Sequence, residues 1–145
     1  MNYTFGLLLL LICLYFLFQS CKTVDINPES YEKEKIYFGG GGGFTGELKE
    51  YCLLESGDLF KINPSSRAAA LSNNIKKSAA KKILNQIKAA NFQDYNYDQP
   101  GNMFYWMKHQ TKADSSYLIW GHPNIEVDEE ISSIYKQLIS LTKQQ

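Results

Sequence analysis

The chain lacks a net charge: 15 Lys and Arg residues offset 15 Asp and Glu, so it has no basic field to draw nucleic acid or an acidic membrane surface. Nucleic acid is not an expected partner. Only three cysteines and two histidines are present, too few for a dense disulfide framework or for repeated metal-ligand spacing. No metal and no cofactor is expected. Charge of either sign is missing altogether before Lys22. The apolar run found there, Phe5 to Phe18, falls short of the about 20 residues that crossing the hydrocarbon core requires.

That run suits the apolar core of a secretion signal, and it ends Phe18-Gln19-Ser20-Cys21. A small residue followed by cysteine at this point resembles the lipobox of bacterial lipoprotein precursors. The resemblance implies a signal peptide over 1–20, a diacylglycerol on the Cys21 thiol, cleavage just before it, and acylation of the new amine. An uncleaved N-terminal anchor and an ordinary cleaved signal are the alternatives. Acyl chains, at about 0.8 kcal/mol per buried methylene, would hold the protein on a membrane. With Lys22 after the cysteine, the resemblance implies the bacterial cell envelope, anchored in the outer membrane and facing the periplasm.

If Cys21 is lipidated, Cys52 is the one thiol left in the mature chain. It has no partner for an intramolecular disulfide. It is expected buried as a small apolar residue, on the same strand face as Leu54.

Residues 21–35 carry the lipidated cysteine and a mixed polar stretch with Pro28, which reads as a tether in which Tyr31 begins the packing. Residues 36–145 then form one domain. Ile36-Tyr37-Phe38 reads as a short strand, Gly39 to Gly46 as a glycine-rich connection, and Glu47 to Glu55 as a second strand. Ser56-Gly57-Asp58 turns into a third, Leu59 to Ile62.

A helix follows Asn63-Pro64-Ser65-Ser66, starting as early as Arg67 and well marked over Asn74 to Ala90 by Ile75, Ala79, Ile83 and Ile87. Its lysines, Lys77, Lys81, Lys82 and Lys88, mark a solvated face. Met103 to Gln110 and Tyr117 to Trp120 form a second hairpin, and Val127, Ile131, Ile134, Leu138 and Leu141 a final helix. The order β-β-β-α-β-β-α, after an N-terminal signal helix, predicts an α+β fold. It is expected as an antiparallel sheet of about five strands with two helices packed on one face.

Several motifs fail on their physics. Gly41-Gly42-Gly43-Phe44-Thr45-Gly46 matches G-x-G-x-x-G, but a strand follows where the dinucleotide fingerprint must open a helix. Asp94-Tyr95-Asn96-Tyr97-Asp98 starts like a calcium loop, yet Gln99 stands where Gly is needed and no carboxylate closes it. His109, Asp114, Ser115 and Ser116 gather around the second hairpin, but with no nucleophile elbow. No catalytic residue is assigned. The aromatics of the calcium-like loop, with Trp106 and Trp120, are candidates for stacking on a glycan or peptide.

The short strand, the sequence Gly42-Gly43-Phe44-Thr45-Gly46, one helix ending Ala89-Ala90-Asn91-Phe92, and Pro100-Gly101 before a hairpin and last helix resemble the emfourin-type inhibitors of thermolysin-like metalloproteases. That resemblance implies protease inhibition. With the anchoring that the lipobox resemblance implies, the expectation is a membrane-anchored, non-enzymatic binding module. Its partner is expected to be another envelope protein or, as the emfourin resemblance implies, a protease, met through Gly42, Gly43, Phe44, Thr45 and Gly46. The alternative is a small enzyme or ligand-binding domain that uses the aromatic and His109 region.

Overall fold

A computed structural model describes residues 26–143. The expected signal segment 1–20, Cys21 and the start of the tether lie outside them. Six strands and two α-helices are described: β1 (Lys35–Gly42), β2 (Lys49–Leu54), β3 (Asp58–Ile62), β4 (Ala69–Asn74), α1 (Lys77–Ala90), β5 (Met103–Gln110), β6 (Ser115–Trp120) and α2 (Glu129–Leu141). They build an α+β fold on one open sheet in the order β4-β3-β2-β1-β5-β6, with every neighbouring pair antiparallel. Among the described residues no helix is long and apolar enough to cross a membrane.

Two corrections follow. The sheet has six strands rather than about five, because Ala69–Asn74, expected within a helix, is strand β4. The Asn63 side chain accepts from the backbone N–H groups of Ser65 and Ser66, both at 3.0 Å, and Arg67 takes a left-handed φ of 58°. That turn sends the chain back along β3.

The second correction concerns the glycines. Gly39, Gly40, Gly41 and Gly42 continue β1 instead of leaving it, paired to Trp106, Tyr105, Phe104 and Met103 of β5. Gly39 and Gly40 also pair with Glu50 and Lys49 of β2, and this pairing compensates for glycine's poor strand propensity.

Strand alternation divides the core in two. Ile36 and Phe38 of β1, with Leu53, Leu59, Met107 and Leu118, face α1 and α2, which contribute Leu84, Ile87, Ile131 and Leu138. Tyr37, Cys52, Leu54, Phe60 and Ile62 point the other way. Both helices therefore pack on one face. Cys52 is buried beside Leu54, on the side turned from the helices.

That second face is covered by the N-terminal segment, through Ile26 and Tyr31. The buried Lys35 fastens the segment: its Nζ donates to the carbonyls of Pro28 at 2.7 Å, Glu29 at 3.2 Å and Tyr31 at 2.9 Å. The sheet thus begins at Lys35, and residues 26–31 lie on it. Burial lowers the Lys35 pKa, and the three carbonyls offset part of that cost.

The outer face of α1 is solvated, with Lys81 on Glu55 at 3.2 Å and Lys88 on Glu34 at 2.6 Å. Asp128 caps α2, accepting from the Glu130 N–H at 2.8 Å.

Candidate functional site

At the far end of β1 the chain leaves the sheet through Gly42 and Gly43, with φ of 93° and 71°. Side chains rarely adopt this region, so glycine is the residue that lets the strand turn here. A Cβ on Gly42 would also collide with the carbonyl of Asn102. The Gly43 N–H donates to that same carbonyl at 2.8 Å, which joins the loop to the turn at Pro100-Gly101-Asn102. Phe44 stands at the tip, fully exposed. Gly46 closes the loop at a φ of 62°.

Beside this loop, on the helix side of the sheet, lies a cleft of about 490 Å³. Its floor is the glycine ladder of β1, and Tyr51, Tyr105, Tyr135 and Ile139 form its walls. Gly40 explains the floor: a Cβ there would stand 2.8 Å from the Phe104 carbonyl oxygen and 3.3 Å from Tyr135 Oη. Without it, the α2 residue Tyr135 reaches the sheet and donates to the Gly39 carbonyl at 2.9 Å. Its ring meets those of Trp120 and Tyr105 edge-on, at 5.2 and 5.5 Å between centroids. Burial raises the Tyr135 pKa, so it stays a neutral donor. Thr45, Glu47 and Lys49 lie at the loop side of the cleft, Thr142 and Lys143 at the helix side.

All five loop residues singled out in the sequence, Gly42, Gly43, Phe44, Thr45 and Gly46, thus belong to one edge of the molecule, and Gly42 and Thr45 line the cleft itself. The cleft's tyrosines come from three separate elements, so no local spacing announces them.

The His109 region is built differently. His109 Nε2 lies 2.8 Å from Glu34 Oε1, and Lys88 holds the other oxygen of that carboxylate. Asp114 accepts from the Ser115 backbone N–H at 2.7 Å and from Gln93 at 2.8 Å. Among the described residues, His109 makes its side-chain hydrogen bond to Glu34 and not to Ser115 or Ser116. His109 and Asp114 thus tie the β5–β6 hairpin to Glu34 and Gln93.

Residues 95–99 run along β6, with the Tyr97 carbonyl accepting from Ile119 at 2.9 Å and Tyr97 Oη accepting from the Asp128 N–H at 2.8 Å. The backbone of the calcium-like sequence therefore pairs with the edge strand β6. Among the described residues no cluster of three or more His, Cys, Asp or Glu is placed to hold a metal ion. Of the two tryptophans, Trp120 is buried against the helices, while Trp106 is half-buried on the other face.

No protein-family model matches the chain, and no curated protein matches it.

Proposed function

We propose that the protein is a non-enzymatic binding module of the bacterial envelope, held on the outer membrane by lipid on Cys21, that meets its partner through the Phe44 loop and the adjoining cleft. One observation carries this reading. A fully exposed phenylalanine stands at the tip of a loop whose start is fastened by the Gly43–Asn102 hydrogen bond. A ring left in water gains nothing from burial and offers nothing to the fold. An exposed aromatic beside a concave aromatic surface is the usual make-up of a binding hot spot.

The anchoring half of the reading rests on the lipobox-like sequence alone. Mass spectrometry of the mature N-terminus, with Cys21→Ser as control, tests it: an unmodified Met1 or a free Cys21 thiol would overturn it. The contact half is tested by a photo-crosslinking residue placed at position 44 in living cells, with position 82 on the outer face of α1 as reference. A discrete adduct at 44 and none at 82 is expected. Equal labelling at both positions sinks the claim.

A second reading, protease inhibition, is favoured by one particular of the geometry. The Gly-Gly-Phe-Thr-Gly loop and the Pro-Gly turn, which carry the resemblance to emfourin-type inhibitors, lie side by side through the Gly43–Asn102 hydrogen bond. Titration against a thermolysin-like protease decides it. No inhibition at micromolar protein eliminates this reading and leaves the first standing.

A further inference from the structure

The sheet face turned away from the helices is covered over part of its width. Ile26 and Tyr31 lie against the cluster of Tyr37, Cys52 and Phe60. Beyond them β5 and β6 direct alternate residues to the same side, among them Trp106, Lys108 and Gln110, with Tyr117 and Ile119 across the ladder. The rings of Trp106 and Tyr117 lie tilted against each other, 6.2 Å apart with 38° between their planes, and Tyr117 is 50% exposed. A groove of about 350 Å³ opens beside them, bounded by Tyr37, Trp106, Lys108, Gln110 and the Arg67–Glu50 pair.

The cations of this groove differ in what they already hold. The Lys35 ammonium is saturated by three carbonyls. Arg67 clamps both Glu50 oxygens at 2.8 Å and reaches Glu29 at 3.1 Å. Lys108 is half-buried and makes no ion pair among the described residues. A partly desolvated ammonium without a counter-ion favours an anionic ligand. The rings next to it offer an apolar surface that suits the C–H face of a sugar. Gln110 and Glu29, also on the groove, supply donor and acceptor groups for hydroxyls.

We propose that this groove binds an acidic glycan of the uronate type, with a sugar ring on Trp106 and Tyr117 and its carboxylate on Lys108. Arg67 already answers the charges of Glu29 and Glu50, so Lys108, with no ion pair among the described residues, is the groove cation left to meet a carboxylate, while Glu29 and Gln110 can meet the sugar hydroxyls. This site is independent of the Phe44 loop, since the glycine-floored cleft lies on the opposite face of the sheet.

The test is isothermal titration calorimetry of the full chain in detergent, with tetragalacturonate, the uncharged maltotetraose, and octathymidylate. Tetragalacturonate binds most tightly, Lys108→Gln weakens it by about tenfold or more, and maltotetraose binding is insensitive to that change. Trp106→Ala weakens both sugars. Thermal unfolding monitors folding, and if Trp106→Ala fails to fold, Lys108→Gln decides the matter. No heat from tetragalacturonate at about 10 mM, unchanged affinity in Lys108→Gln, equal affinity for the two sugars, or tighter binding of octathymidylate would each overturn the proposal.

Discussion

Tyr135 Oη donates to the Gly39 carbonyl at 2.9 Å, across 96 residues of sequence, and so couples the last helix to the first strand. The bond depends on a strand that carries no side chain at Gly40, where a Cβ would crowd the hydroxyl.

Tyr135→Phe keeps the aromatic packing and removes the bond. A loss of about 1 kcal/mol is expected in urea unfolding. Gly40→Val, which inserts a branched side chain beneath the ring, is expected to cost more, about 1–3 kcal/mol by overpacking. Equal stability of Gly40→Val and the natural chain would refute this account of the glycine floor.

Arg67 stands at the β3–β4 turn and neutralises Glu50, whose side chain is only 8% exposed. Arg67→Ala leaves that carboxylate without its partner and is expected to destabilise by about 1–3 kcal/mol. Adding Glu50→Gln should return part of the loss, because no buried charge remains. A double variant as unstable as the sum of the two singles would show that the pair is not coupled.

Burial pushes the Cys52 thiol from its ordinary 9.0 up to about 12, despite the Lys35 ammonium nearby. The unfolded chain ionises this thiol first, so its contribution to stability is complete below about pH 9 and is lost as pH rises towards 12. Urea midpoints are therefore expected to fall between about pH 8 and about pH 11, less steeply in Cys52→Ala. Any slope that remains belongs in part to Tyr37 and Tyr135, both raised by burial. A slope identical in the two proteins would exclude the thiol as its source.

Helix α1 begins at Lys76 with no side-chain cap and no acidic residue in its first turn. Lysine there opposes the positive end of the helix. Lys76→Asp introduces an acceptor for the free N–H groups and is expected to raise stability by about 0.5–2 kcal/mol, readable as a higher thermal midpoint. Lys76→Ala separates the two causes, since it removes the repulsion without providing a cap.

These contrasts show where local pattern spoke for the fold and where it did not. Helix α2 was legible because Ile131, Ile134 and Leu138 keep helical spacing and Asp128 is a good cap. The β5–β6 hairpin was legible for its aromatic and branched residues. Strand β4 was not, because Ala68, Ala69 and Ala70 favour helix. Its conformation instead follows from pairing with β3 and from the Asn63 turn. The loop around Phe44 could be singled out from composition, but the extension of β1 through its glycines could not. That extension depends on partners, Lys49 and Met103 among them, that the chain supplies later. The groove beside Trp106 was hidden for the same reason: Lys108 and Arg67 line it together only once the sheet is assembled.

Among the described residues β1 is the first strand, yet it lies inside the sheet, between β2 and β5. As the polypeptide emerges, β2 can pair with it at once, while the side meant for β5 stays open until roughly half the domain has followed. Such an open strand would ordinarily template the wrong partner. Its glycines offer few side chains to fix a register. The glycine ladder that admits Tyr135 at Gly40 thus leaves the register of β1 to be set at its other end, where Ile36, Tyr37 and Phe38 pair with β2 and β5.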